Sequence, residues 1–137
     1  MKYALTIATV SILLFASLGF GQEATGRRVV ATVDADGIQR VEITGASYYF
    51  DPNVIVVKVN VPVELKVRKA GGGTPHNIVI KAPEAGIDFS QSLGSEPKVI
   101  QFTPTKVGKY AFACTKKAPF SKSHKDRGMH GVLEVVD

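Results

Sequence analysis

Short runs of β-branched residues, separated by turn residues, follow one another along residues 27–136. No stretch in this region repeats its apolar positions with the period of a helix. Residues 63–68 are the clearest example, because apolar and charged side chains alternate strictly there and so place one face on a core and the other in water. The sequence therefore predicts an all-β domain, built as a sandwich or a barrel.

Turn residues indicate where the predicted strands begin and end. An Asp-Gly pair closes residues 34–37 and tolerates the positive φ of a tight turn, which predicts a first hairpin. Residues 82–96 lack alternation, and we expect at most one helical turn there, near residues 83–87. The predicted strands are 27–33, 38–44, 47–50, 54–60, 63–69, 76–81, 98–103, 108–114 and 131–136.

The N-terminal segment differs from the rest of the chain. An apolar run without a charged residue extends from Tyr3 to Phe20, behind a single basic residue. This pattern predicts a secretory signal peptide over residues 1–21, cut before Gln22, and one domain over residues 22–137. An uncleaved membrane anchor is the alternative, since about 18 apolar residues is near the lower limit for a span. In both cases we expect the domain outside the cytoplasm, in the periplasm or secreted.

Composition narrows the function further. Hydrophobic residues make up 45% of the chain and charged residues 21%, which is enough apolar side chain for a core and too little charge for disorder. The net charge of +5 is modest, so with an export signal we expect no nucleic-acid partner. Cys114 is the single cysteine, which excludes an internal disulfide in a compartment where disulfides usually persist. Its presence therefore needs another explanation.

Four potential metal ligands occur in the order His76, Cys114, His124, Met129. A thiolate and two imidazoles in a trigonal arrangement, with a weak thioether above them, suit copper in both oxidation states and form a blue electron-transfer site. His130 is a rival to Met129. Neighbouring strand residues point to opposite faces, so only one of the two can point inward, and we favour Met129.

Three segments resemble plastocyanin-type and azurin-type cupredoxins: Pro75-His76-Asn77, residues 110–114 ending in Cys114, and residues 124–135. The resemblance extends over roughly residues 48–136. It implies a Greek-key β-sandwich of about seven or eight strands and one copper ion, Cu(I) or Cu(II), held by His76, Cys114, His124 and Met129. It also implies that the Asn77 side chain ties the ligand loops together, with Thr115 as its partner.

One spacing departs from the family pattern. Nine residues separate Cys114 from His124, where small cupredoxins usually have fewer. A more open or differently tuned site is therefore one expectation. The loop also holds a cluster of basic side chains, which predicts acidic partner proteins; the alternative is that these charges only solvate an exposed loop. The cluster consists of Lys116, Lys117, Lys122, Lys125 and Arg127.

The resemblance implies an exported one-electron carrier that exchanges electrons with redox proteins. We expect a monomer without a small-molecule substrate and without enzymatic activity. The chain lacks the paired His-x-His motifs of multicopper oxidases and a second cysteine for a binuclear copper centre. Two alternatives stay open: a copper carrier or buffer that uses the same residues, and a copper-free accessory module of a larger assembly.

Overall fold

The computed structural model describes residues 26–137, so the predicted signal peptide over residues 1–21 lies outside the described residues. Within the described part of the chain, eleven strands form two sheets, and a single 3-10 turn at Pro83–Ala85 precedes the eighth strand. The strands are β1 Arg28–Val30, β2 Thr32–Val33, β3 Gln39–Ala46, β4 Tyr49–Asp51, β5 Val54–Lys58, β6 Val63–Lys69, β7 His76–Ala82, β8 Ile87–Leu93, β9 Lys98–Phe102, β10 Gly108–Ala113 and β11 His130–Val136.

The two sheets form the Greek-key β-sandwich that the resemblance implies. One sheet has the strand order β1-β5-β11-β10-β7-β8, and the other has β2-β3-β6-β9 with β4 paired to β3. Strand β5 runs parallel to both β1 and β11, and β3 runs parallel to β6, while the remaining pairs are antiparallel. Between residues 26 and 137, no helix is long and apolar enough to cross a membrane.

The eleven strands exceed the seven or eight that the resemblance implies, and they exceed the nine predicted from the sequence for two reasons. The predicted strand 27–33 is broken at Ala31, so that β1 joins one sheet and β2 joins the other. Strand β8 was not predicted, because Gln91 occupies one of its inward positions and hides the alternation. The predicted hairpin is confirmed by the antiparallel pairing of β2 with β3, with Gly37 at a φ of 81° in the turn.

The hydrophobic core lies between the two sheets. Alternate residues of β3 and β6 face inward, as the sequence pattern predicts. Gly131 lets β11 lie close to β10, since a Cβ there would approach the Phe112 ring and the Asn53 carbonyl to 2.3 Å. The largest core side chains include Ile43, Ile55, Leu65, Ile78, Phe112 and Leu133.

Candidate metal centre

The four predicted ligands lie at the ends of strands, at one end of the sandwich. His76 is the first residue of β7, Cys114 follows the last residue of β10, and Met129 immediately precedes β11. His124 lies in the loop between β10 and β11. All four residues are buried, with at most 5% of their surface exposed. Long-range strand pairing therefore brings together residues that are up to 53 positions apart in the sequence.

The two imidazoles and the thiol direct their ligand atoms at one point. Nδ1 of His76 lies 3.2 Å from Nδ1 of His124, and Sγ of Cys114 lies 3.9 Å and 3.5 Å from these two nitrogens. A point about 2.1 Å from all three atoms falls inside the triangle that they form, which is close to a bond length between a metal ion and nitrogen or sulfur. A metal ion there can accept all three lone pairs at once, and a single proton cannot.

The surroundings of both histidines favour the neutral imidazole over the charged one. Burial lowers the pKa of His76 below its ordinary value, with further contributions from His124 and Lys69. Burial also lowers the pKa of His124, and the Arg127 charge adds to this effect. Both shifts favour the neutral form of the ring, which is the protonation state that binds a metal.

Backbone hydrogen bonds hold the ligand loop closed despite its length. The Cys114 amide donates to the Met129 carbonyl over 3.0 Å, and the Met129 amide donates to the His124 carbonyl over 3.0 Å. The His124 amide donates to the Lys116 carbonyl over 2.9 Å. The extra residues therefore bulge outward between Lys116 and His124. The more open site that the loop length suggested is not found, because His124 remains buried.

Asn77 and Thr115 make the contact that the resemblance implies. The Asn77 Nδ2 group donates to Oγ1 of Thr115 over 2.8 Å, and the Thr115 amide donates to Oδ1 of Asn77 over 2.8 Å. Each of these residues directly follows a candidate ligand in the sequence. The pair of hydrogen bonds therefore fixes the separation between His76 and Cys114.

Met129 and His130 differ in burial, as strand alternation predicts. Met129 is fully buried, and its Cε lies 3.2 Å from the position that a Cβ on Gly45 would take. His130 is exposed and lies beside Lys81 and Lys125 in a shallow groove on the outer face of the sheet. Of the two rivals, Met129 is the one on the core side of the strand.

Ser47 and Tyr48 also contribute to the site, and neither residue was predicted from the sequence. The remaining nitrogen of His76, Nε2, lies 3.2 Å from Oγ of Ser47, and it can donate a hydrogen bond to this oxygen when Nδ1 is a ligand. The Tyr48 ring packs edge-on against His124, with the ring centres 4.9 Å apart, and the Arg127 guanidinium lies 4.7 Å from the Tyr48 ring centre. Both residues lie in a short turn between β3 and β4, which has no sequence motif.

Two imidazoles and a thiol, converging at one end of a β-sandwich, form a cluster that can hold a metal ion, and this donor set is consistent with copper. The chain belongs to the family described as the cupredoxin-like domain, whose family model matches residues 7–132. A search of curated protein sequences finds no match.

Solved structures support the same fold. The metal-binding domain of the Streptococcus pneumoniae D39 Cu(I)-exporting P-type ATPase CopA, with Cu(I), is 23% identical with a TM-score of 0.62, covering 81% of this chain and 97% of that domain. A copper-binding protein in the apo form is 25% identical with a TM-score of 0.58, and the match covers 83% of this chain and 100% of that protein. Auracyanin A, a blue copper protein from Chloroflexus aurantiacus, is 21% identical with a TM-score of 0.54, and the match covers 73% of this chain and 100% of auracyanin A. Other similar structures include parts of oxidases, so the fold alone does not separate carriers from enzymes.

Proposed function

We propose that this protein is a one-electron carrier with a type 1 copper site, in which His76, Cys114 and His124 would hold the ion together with Met129 as a weaker fourth ligand. The observation that carries the proposal is the convergence of two Nδ1 atoms and one Sγ atom, 3.2–3.9 Å apart, in a buried position. Copper in such a site supplies one-electron chemistry by alternating between two oxidation states.

The surrounding residues keep the ligands in place during electron transfer. The hydrogen bonds between Asn77 and Thr115 and the backbone bonds that close the ligand loop restrict the movement of both histidines and the cysteine. Restricted ligands change little in geometry when the charge on the metal changes, which lowers the reorganisation that opposes electron transfer. The Tyr48 ring packs against the buried His124 ring and covers that side of the site.

A copper carrier is the second candidate function. The similarity to a copper-binding protein and to the metal-binding domain of a copper exporter supports it. A carrier has to release its ion to another protein within the time of an encounter. The burial of all four proposed ligands favours slow release, and hence favours electron transfer.

We also propose that the protein acts outside the cytoplasm, as a monomer, with redox proteins as its partners and without enzymatic activity of its own. The apolar N-terminal run supports the location, and the basic ligand loop supports acidic partners. The proposal of acidic partners predicts that electron-transfer rates fall as ionic strength rises. Rates that are independent of ionic strength would remove this role from the basic side chains.

The test is a visible and electron-spin spectrum of the purified protein with one equivalent of Cu(II). We expect an intense blue or green band that disappears on reduction and returns on reoxidation. Cys114→Ser should lose the band, because the charge-transfer transition requires a thiolate, while the control His130→Ala should keep it. A pale copper spectrum in the unsubstituted protein, or a band that survives in Cys114→Ser, would refute the assignment of the site.

Copper release separates the two candidate functions. The copper-loaded protein is reduced and mixed with an excess of a Cu(I) chelator, and the transfer of copper to the chelator is followed by absorbance. An electron carrier should lose its copper over hours. Complete transfer within seconds would support the copper carrier instead.

A further inference from the structure

A tight turn with an unusual residue forms the outermost part of the ligand loop. The Ser121 amide donates to the Ala118 carbonyl over 3.2 Å, with Pro119 in the second position of the turn and Phe120 in the third. Phe120 has a φ of 56°, which together with the proline indicates a type II turn. Glycine or asparagine is usual in that third position, because a side chain such as phenylalanine is strained at positive φ.

The Phe120 ring is not buried in the folded protein. Its relative exposure is 109%, against 65% for Val30, the next most exposed large hydrophobic residue in the described part of the chain. The strained backbone opposes folding, and the exposed ring contributes no burial free energy that would offset this cost. A residue that costs stability in this way is best explained by a contact with another molecule.

The side chains around the turn define the chemistry of that molecule. Lys116, Lys117, Lys122 and Lys125 form no ion pair with any residue between positions 26 and 137. The one acidic residue of the loop, Asp126, already accepts a hydrogen bond from the Ser123 hydroxyl. The lysine charges are therefore available to carboxylates of a partner.

The turn is also fixed with respect to the metal site. The Arg127 Nη2 group donates to Oγ of Ser121 over 2.6 Å, while the same guanidinium lies over the Tyr48 ring. The His124 amide closes the loop at Lys116. Phe120 is thus presented on a braced turn, four residues from a proposed copper ligand.

We propose that Phe120 is the aromatic anchor of a docking surface, formed with Lys116, Lys117, Lys122 and Lys125, for a folded protein that has an apolar pocket surrounded by carboxylates. The proposal rests on the proposed function, since the partner would exchange electrons with the site behind the loop. A single aromatic side chain on a braced turn is typical of an anchor residue in a protein interface. Binding within a membrane interface usually uses a larger apolar face, such as an amphipathic helix.

The first experiment finds the partner by photo-crosslinking in the cells that naturally produce the protein. A photoreactive phenylalanine analogue replaces Phe120 in one variant and Val99, an exposed residue of β9, in the control. We expect one acidic redox protein to be crosslinked from position 120 and not from position 99. The absence of a product above the control, or a product that contains lipid alone, would overturn the proposal.

The second experiment measures the dissociation constant of the crosslinked protein, purified, for the unsubstituted chain and two variants. Phe120→Gly should weaken binding about tenfold or more, with the salt dependence unchanged. The double variant K117E/K122E should weaken binding and reduce its salt dependence. Phe120→Gly should also unfold at the same temperature as the unsubstituted protein or higher, because glycine relieves the strain in the turn. Equal affinities for Phe120→Gly and the unsubstituted chain would overturn the proposal.

The two proposals can fail separately. The copper spectrum is recorded for the same variants, and both should keep it, since neither changes a proposed ligand. Binding is also measured with metal-free protein. Docking without a copper spectrum in the unsubstituted protein would refute the proposed function alone, and a copper spectrum without Phe120-dependent docking would refute the docking surface alone.

Discussion

Replacement of Asn77 by alanine removes both hydrogen bonds that connect the residue after His76 to the residue after Cys114. Each bond is 2.8 Å long, and the Asn77 side chain is buried, so water replaces these bonds poorly. At about 1 kcal/mol for each bond, with an addition for the space left behind, we expect a loss of about 2–3 kcal/mol in the free energy of unfolding. For a domain of this size, that corresponds to a midpoint roughly 8–12 °C lower.

Thr115→Val is the matched control, because it removes one of the two bonds. The backbone amide of residue 115 still donates to Oδ1 of Asn77, and only the Oγ1 acceptor is lost. We expect this variant to lose about 1 kcal/mol. Thermal and urea unfolding of the metal-free proteins measures both values.

Copper binding gives a second readout of the same pair. Because Asn77 and Thr115 lie outside the set of proposed ligands, Asn77→Ala should weaken copper affinity by about 10–100-fold while retaining a charge-transfer band. The reasoning would be wrong if Asn77→Ala were no less stable than Thr115→Val, or if its copper affinity were unchanged.

Three further predictions concern the axial ligand, the cover of the site and a surface ion pair. Met129→Leu should keep copper but raise the reduction potential in cyclic voltammetry, since a weak donor to Cu(II) is lost, and an unchanged potential would argue against Met129 as a ligand. Tyr48→Ala should speed copper loss to a chelator, whereas Tyr48→Phe should not; equal rates for both would show that the ring does not shield the site. The Arg28 guanidinium, with help from Lys109, holds the pKa of Glu134 below its ordinary value, so this pair stabilises the fold above about pH 4.5 and the effect is lost as pH falls. The free energy of unfolding, measured with denaturant between about pH 3 and 6, should therefore depend less steeply on pH in Glu134→Gln than in the unsubstituted protein. Identical pH profiles for the two proteins would contradict this.

The types and order of a few residues were enough to predict that His76, Cys114 and His124 lie together. Among the residues beyond the N-terminal run, cysteine, histidine and methionine are scarce, and few folds would place His76, Cys114 and His124 at the same end. The all-β class and most strand positions followed from side-chain alternation, as in β6, whose bounds agree with the prediction. Strand alternation also distinguished buried Met129 from exposed His130.

Features that depend on three-dimensional contacts were not predictable in the same way. Ser47 and Tyr48 reach the histidines from a turn on the other sheet, and no spacing in the sequence connects them to the site. The length of the ligand loop suggested an open site, because a sequence does not show that the His124 amide closes the loop at Lys116. The strain at Phe120 likewise depends on a backbone angle rather than on residue type.

Arg127 connects the cover of the metal site with the turn that carries Phe120. Its guanidinium contacts the Tyr48 ring on one side and the Ser121 hydroxyl on the other. A metal ion cannot leave past a packed tyrosine ring without displacing it, whereas an electron can pass through a covering layer without any atom moving aside. The Tyr48 cover and the proposed docking turn beside it therefore agree better with the proposed electron transfer than with release of the metal to a partner.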